Sequence, residues 1–421
     1  MNSRRQFLIQ APIGLLGALA ACRSDEQASG THPAAATPGA PPAFNTAPPV
    51  GPEVSVTTFA EAEKLAQGQR TDAERQMAAK SWRTSMAALL ERRVEPRKVQ
   101  LEPTLAPATV WHADIGGQSA GPGRDRFVRS SEKAVPLPTS DEDIAFAPVT
   151  QLSRWIETRK LSSDRLTRIY LDRLARFDPK LRCVITLTRD TALAQAKQAD
   201  AEIAAGKYRG PLHGIPYGVK DLMDTAGIAT TYGAEPFRNR VPDADSAVVA
   251  RLRNAGGVLV AKLSMGALAL NDIWFGGQTM NPWLLEEGSS GSSAGPGAAT
   301  SAGLVGFSVG SETGGSIISP SMRCGITGLR PTYGRVPRTG AMTLCWSLDK
   351  LGPMARSVED AMLVLDAITG PDAGDVASVP SHLEFDANAS VKGLRVGYIP
   401  AWMKEAPATE VDRATLDAIG K

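Results

Sequence analysis

From Pro148 onward the apolar residues fall into regular patterns. Leu166, Ile169, Tyr170, Leu174 and Phe177 stand at i, i+3, i+4, i+8 and i+11, one face of an amphipathic helix. Ser162 and Ser163 mark its start, and Pro179 predicts that it stops just before that residue. The run CVITLT from Cys183 reads as a strand, followed by an Ala-rich helix from Thr191 to Ala205. A further helix, Ser246 to Asn254, ends at Gly256 and Gly257 and leads into the apolar run Val258 to Ala261. Alternation of helix and apolar strand predicts an α/β domain built on a buried mixed sheet.

Upstream the pattern changes three times. Ala60 to Arg93 shows helical spacing with alternating charge and predicts one or two helices, whereas Val94 to Ala145 is Pro- and Gly-rich and reads as an extended arm. Arg23 to Val54 is rich in Ala, Pro, Gly, Ser and Thr, too poor in large apolar residues to bury a core, and reads as a disordered tether. The first residues contain SRRQFL followed by IQAPIGLLGALAA, which resembles a twin-arginine export signal. That run is too short to span a bilayer and is broken by Pro12, Gly14 and Gly17. It ends in LAAC, similar to a lipoprotein lipobox, with Cys22 as the lipid attachment point; cleavage near Ala20 or Ala21 is the alternative. The organisation expected is a signal over 1–22, a tether over 23–54, an N-terminal helical and extended arm over 55–145 and the α/β domain over 146–421. The signal implies export to the cell envelope or periplasm, with membrane contact through the lipid on Cys22.

Composition narrows the chemistry. Of 421 residues, 43% are apolar and 21% charged, a globular balance. The 46 Lys and Arg nearly cancel the 44 Asp and Glu, and removal of Arg4 and Arg5 with the signal leaves 44 of each, so nothing favours nucleic acid as a partner. His32, His112, His213 and His382 are scattered, as are Cys22, Cys183, Cys324 and Cys345, with no CxxC or HExxH, so neither a metal site nor a cofactor is expected. With Cys22 acylated, three thiols remain and at most one internal disulfide can form.

Between Gly288 and Ser321 the chain reads GSSGSSAGPGAATSAGLVGFSVGSETGGSIISPS. A flexible linker would not carry Leu304, Val305, Phe307 and Val309 in its midst; glycine and serine embedded in apolar sequence point to backbone that approaches something closely, with hydroxyl and N–H groups as working parts. These strings, with GIPYGVKDLMDTAGIATTYGA from Gly214, CGITGLRPTYGRVPRTGAM from Cys324, WSLDKLGPMARSVEDA from Trp346 and VKGLRVGYIPAW from Val391, resemble the amidase signature family from about Ala147 to Lys421. The resemblance implies a mixed twisted β-sheet core flanked by α-helices, a small-molecule amide substrate and a triad of serine, a second serine after a cis peptide bond, and lysine. Carried over, Ser316 in TGGS is the nucleophile and Lys220 in GVKD the base. The family's ungapped spacing selects Ser292 as the bridging serine, while the local string GSS also allows Ser289. The backbone N–H groups of Thr313, Gly314, Gly315 and Ser316 are the expected oxyanion hole. A lysine acts as base only when neutral, which burial away from acidic partners achieves.

Glu312 replaces a usual Asp, Ile318 a common Arg, and Ser290 and Ala294 replace glycines of the family pattern. Lys262 is a second family landmark and reads as a structural or solvated lysine. Relative to the family the chain stops inside the helical string EVDRATLDAIGK, so the resemblance implies a C-terminally incomplete domain. Ser119 and Ser293 both fit GxSxG, yet only His382 follows Ser293, in a polar stretch, so a Ser-His-Asp hydrolase is disfavoured. His213, Cys324 and Cys345 read as structural residues. Two other functions compete: a glutamine-hydrolysing amidotransferase subunit, against which export argues, and a tethered lipoprotein on an inactive amidase scaffold. The sequence does not determine oligomeric state.

Overall fold

A computed structural model describes residues 51–85, 114–115, 118–119, 122–131, 135–395, 397, 399 and 410–419. The export signal over 1–22 with Cys22, and all of the 23–54 tether up to residue 50, lie outside the described residues. The chain divides into two compact units, one made of residues 106–390 and the other of residues 1–105 and 391–421. In the latter, helix α1 (Val56–Ala66) starts at a capping box in which Ser55 and Thr58 exchange side-chain and backbone hydrogen bonds. It packs on α2 (Asp72–Ser85), whose Arg75 Nη2 lies 2.8 Å from the buried Glu63 carboxylate. Helix α11 (Glu410–Ile419) belongs to the same unit.

The unit of residues 106–390 carries strands β1 (Arg126–Val128), β2 (Val184–Leu187), β3 (Pro216–Lys220), β4 (Val258–Leu263), β5 (Phe307–Glu312), β6 (Thr327–Gly328), β7 (Lys350–Ala355) and β8 (Glu384–Asp386). Its helices are α3 (Asp141–Phe146), α4 (Val149–Glu157), α5 (Ser163–Leu181), α6 (Arg189–Ala204), α7 (Ala247–Asn254), α8 (Ala294–Ser301), α9 (Ile318–Cys324) and α10 (Val358–Ile368). Six strands form one mixed sheet in the order β6-β7-β5-β3-β4-β2. The centre, β5-β3-β4, is parallel, and antiparallel strands flank it on both sides. Every residue of β3, β4 and β5 is buried, as expected for parallel strands covered on both faces. Alternation still sorts the side chains: Leu259 joins one apolar cluster with Tyr217, Phe307 and Tyr170, while Val258 and Val260 join another with Leu174, Ala196 and Ala298. A mixed sheet between helices is thus present, as the sequence pattern implied.

Two local expectations are corrected. Helix α5 runs through Pro179 to Leu181 and ends at Arg182, whose left-handed backbone donates its N–H to the Asp178 carbonyl, while the Asp178 carboxylate accepts the following Cys183 and Val184 N–H groups at 2.7 and 2.9 Å. The segment read as an extended arm up to Ala145 holds helix α3, capped by Ser140, and strand β1, which pairs in parallel with β8 more than 250 residues later. The start of α4 shows how distant residues close the fold. Pro148 at its N-cap supplies no side-chain acceptor, and the buried carboxylate of Asp360 on α10 accepts the Val149 and Thr150 N–H groups, both at 2.9 Å. Asp360→Ala strands both donors, and each hydrogen bond to a charged group contributes about 1.5–3 kcal/mol. Denaturant unfolding should therefore show a loss of at least about 2 kcal/mol; a variant as stable as the parent would show that this cap contributes nothing.

Candidate active site

Lys220 closes β3 at the centre of the sheet and is fully buried. Its Nζ donates to Ser292 Oγ at 2.7 Å and to Ser311 Oγ at 2.8 Å. Ser292 follows a cis peptide bond, Gly291–Ser292, in the turn ahead of α8. Ser311 lies on β5, the strand paired with β3. Close approach of these segments depends on small residues: a Cβ on Gly295 would stand 2.4 Å from the Ser264 nitrogen and 2.5 Å from the Cys183 oxygen. The Gly/Ser segment is therefore backbone pressed against backbone, the opposite of a linker.

Ser293 joins the pieces. Its hydroxyl donates to the Ser311 carbonyl at 3.0 Å and accepts the Ser311 N–H at 3.1 Å, while its own N–H donates to the Ser316 carbonyl at 3.1 Å. The residue after Ser292 thus holds the Ser316 backbone in place. Ser316 is half-buried, and its hydroxyl has no hydrogen bond among the described residues. Gly315 before it has φ +104°, a conformation that L side chains rarely adopt. Among the described residues the N–H groups of Gly314 and Ser316 have no protein acceptor, so they remain available to an oxygen of a ligand.

Glu312 clamps the other side of this loop. Its buried carboxylate accepts the Ile317 and Ile318 N–H groups at 2.9 Å each and pairs with Arg330 at 2.9 Å. Burial alone would raise its pKa, but the Ile318 and Ile317 N–H groups, the Arg330 guanidinium and the Gly315 N–H, which is thereby withdrawn from the expected oxyanion hole, outweigh burial and hold it below the ordinary carboxylate value. Ser290, in place of a family glycine, adopts φ +64° and bonds Ser319 Oγ at 2.6 Å. On the far wall Asp349 accepts the Thr313 hydroxyl and the Leu344 and Cys345 N–H groups.

Two buried lysines on neighbouring strands have opposite surroundings. Burial drives the Lys220 pKa well below that of a free lysine, opposed only from a distance by Asp349 and Glu312, and among the described residues Lys220 makes no ion pair. Lys262 pairs in register with Val219, so it faces away from Lys220. There its Nζ lies 3.1 Å from Asp221 Oδ1 and donates to Thr230 Oγ1 at 2.6 Å. Burial lowers its pKa too, opposed by the Asp221 carboxylate; Lys262 is thus a buried, ion-paired structural lysine, and the solvated alternative does not hold.

The remaining candidates separate from this cluster. Ser289 is buried and donates to the Ser290 carbonyl at 3.0 Å, away from Lys220. Ser293 is occupied as a brace, and His382, the histidine a Ser-His-Asp site would need, pairs on the surface with Asp125. His213 is buried beside Glu202, and burial lowers its pKa. Cys183 and Cys324 are buried and Cys345 is half-buried, all as free thiols. The Cys22 site lies outside the described residues, as does the Ser119 side chain. Among the described residues no three His, Cys, Asp or Glu side chains are placed to share a metal, and no helix is long and apolar enough to cross a membrane. Sequence reasoning missed Ser311, the second partner of Lys220. Its place in the same GSETGGS string was the one signal in the sequence; register sets it with Val309 and Val219 on the face opposite Lys220, so the contact made at the ends of the strands was not readable from alternation.

Comparison with known proteins bears on the family and the fold. The family model described as Amidase matches residues 165–421. The A-type subunit of glutamyl-tRNA(Gln) amidotransferase from Carboxydothermus hydrogenoformans is 37% identical over 286 residues, 66% of this chain and 58% of that protein. Its namesake from Acinetobacter baumannii is 41% identical over 262 residues, 61% of this chain and 53% of that protein. The chain thus spans little more than half the length of the curated relatives it matches. The native peptide amidase from Stenotrophomonas maltophilia, a solved structure, is 40% identical with a TM-score of 0.55 over 57% of this chain and 52% of that one.

The surroundings of Lys220 have a measurable consequence. An unfolded lysine titrates near about 10.4. Between the depressed folded value and that figure, the unfolded chain binds a proton that the folded chain does not, so stability rises with pH. Lys220→Met should remove this slope. Its melting temperature should exceed the parent's most at acid pH, and the gap should close as pH approaches the unfolded value; parallel pH profiles would show that Lys220 is charged when folded.

Proposed function

Since the chain belongs to the amidase family, we propose that it hydrolyses a carboxylic amide to the acid and ammonia or an amine through an acyl-enzyme on Ser316. The observation that carries this reading is the 2.7 Å bond from a buried, ion-pair-free Lys220 to Ser292, on the turn that also holds the Ser316 backbone. Neutral Lys220 takes the Ser292 hydroxyl proton while Ser292 takes that of Ser316, whose oxygen attacks the amide carbon. The carbonyl oxygen, now negative, is received by the N–H groups of Gly314 and Ser316, since that of Gly315 is held by Glu312; one such donor typically contributes about 3–4 kcal/mol. As the C–N bond breaks, Ser292 gives its proton to the leaving nitrogen and is reprotonated from Lys220. Water then cleaves the acyl ester by the same relay.

The likeness to amidotransferase subunits supports a second reading, in which the same site releases ammonia for a partner chain. Ammonia release from simple amides by the purified chain alone favours the first. SRRQFL and LAAC support export by the twin-arginine route and tethering through a lipid on Cys22, which would part the chain from tRNA.

Two experiments follow. A fluorophosphonate probe should label Ser316, and Ser292→Ala should lower kcat/KM by at least about a hundredfold, the scale of general acid–base catalysis, with Ser289→Ala mild. An adduct on Ser293, or the reverse order of the two variants, would remove the assignment. For export, globomycin should cause precursor to accumulate and paired Arg4→Lys and Arg5→Lys should hold the protein in the cytoplasm; unchanged export would refute the twin-arginine route.

A further inference from the structure

A cavity of about 160 Å³ opens against the first residues of β3 and β4, where Tyr217 pairs with Leu259. Tyr217 stands three residues before Lys220 on the same strand, so it takes the other face of the sheet, away from the cluster around Lys220. Its ring lies flat against Phe307, with centroids 5.3 Å apart, and the residue is 1% exposed. Buried hydroxyls are normally paired, yet the Tyr217 hydroxyl makes no hydrogen bond among the described residues. Burial raises its pKa, so it stays protonated, and the charges acting on it are those of Arg253, on the same wall, and of its partner Asp245. Two more donors share this wall. Gln195 on α6 accepts the Leu259 N–H on Oε1 at 2.9 Å, which fixes the orientation of its amide and leaves Nε2 as a free donor. Arg253 near the end of α7 pairs with Asp245 through Nη1, and its Nε and Nη2 make no hydrogen bond among the described residues. Asp245 is occupied by that pair and by the Ala226 N–H at 2.8 Å, so no free carboxylate competes for the donors. Ile228, Val249 and Leu259 supply apolar wall.

We propose that this cavity is a binding site for a small monocarboxylate, its two oxygens taken by Tyr217, Gln195 and Arg253 and its short apolar chain set against Ile228, Val249 and Leu259. Side-chain donors from three elements around one cavity, with no free carboxylate beside them, match a head group that accepts hydrogen bonds and cannot donate them. Arg253 makes its share of those bonds charge-assisted. An ammonium head would meet a guanidinium and no free counter-ion, and an alcohol would leave donors unsatisfied. A cavity of about 150 Å³ takes a benzene-sized ligand, so this one has room for about four or five carbons behind the carboxylate.

Isovalerate, 3-methylbutanol and 3-methylbutylammonium carry one chain on three head groups, and each can be titrated into the purified full chain by calorimetry. Isovalerate should bind at least about tenfold more tightly than the alcohol, and the ammonium should not bind. In methyl-labelled protein, isovalerate should shift the resonances of Ile228, Val249 and Leu259. Tyr217→Phe keeps the ring against Phe307 and removes only the hydroxyl; it should weaken isovalerate at least about tenfold, the scale of one hydrogen bond to a charged group. Gln195→Glu keeps an acceptor for the Leu259 N–H but replaces the free donor with negative charge, and should abolish binding. Equal affinity for the three head groups overturns the carboxylate assignment. Absence of isovalerate binding, affinity unchanged in both variants, or binding that leaves the three methyl groups unmoved overturns the site itself.

Discussion

A primary amine at the centre of a sheet, surrounded by hydroxyl groups and without a carboxylate in contact, is the constraint on which this structure depends. Burying a charged ammonium is costly, so the amine of Lys220 is driven towards neutrality. The groups around it must then offer hydrogen bonds without offering charge. Ser292 and Ser311 do this. The turn carrying Ser292, the strand carrying Ser311 and the loop carrying Ser316 are in turn tied together by one residue, Ser293, through its hydroxyl and its backbone N–H.

Carboxylates are present nearby, and each is held off the lysine by other work. Glu312 is turned to the N–H groups after Ser316 and to Arg330; Asp349 is turned to Thr313 and the loop at Leu344. The longer Glu312, where an Asp is usual, still spans to both donors. Lys262 shows the other outcome of burial. One strand over and on the opposite face, it meets Asp221 and becomes half of an ion pair. Two lysines equally buried thus differ in chemistry because strand alternation hands them different neighbours.

The family landmarks that name Lys220, Ser292 and Ser316 are short contiguous strings, and the helices over Leu166 to Phe177 and Ser246 to Asn254 are local periodicities; both survive in a one-dimensional reading. Alternation of helix and apolar strand likewise suffices for an α/β sheet. Choice between Ser289 and Ser292 did not follow from the local string, since both stand in GSS, and the contact with Lys220 separates them.

By itself, then, the sequence determined the class of fold, several of its helices and strands and the three residues proposed for catalysis, because each is encoded within a few positions of the chain. Only the tertiary structure decided which groups surround them. Ser311 reaches Lys220 across 91 residues, and Asp360 caps α4 from 211 residues away. These partnerships depend on strand register and on which face each side chain takes, quantities that exist only once the sheet has formed.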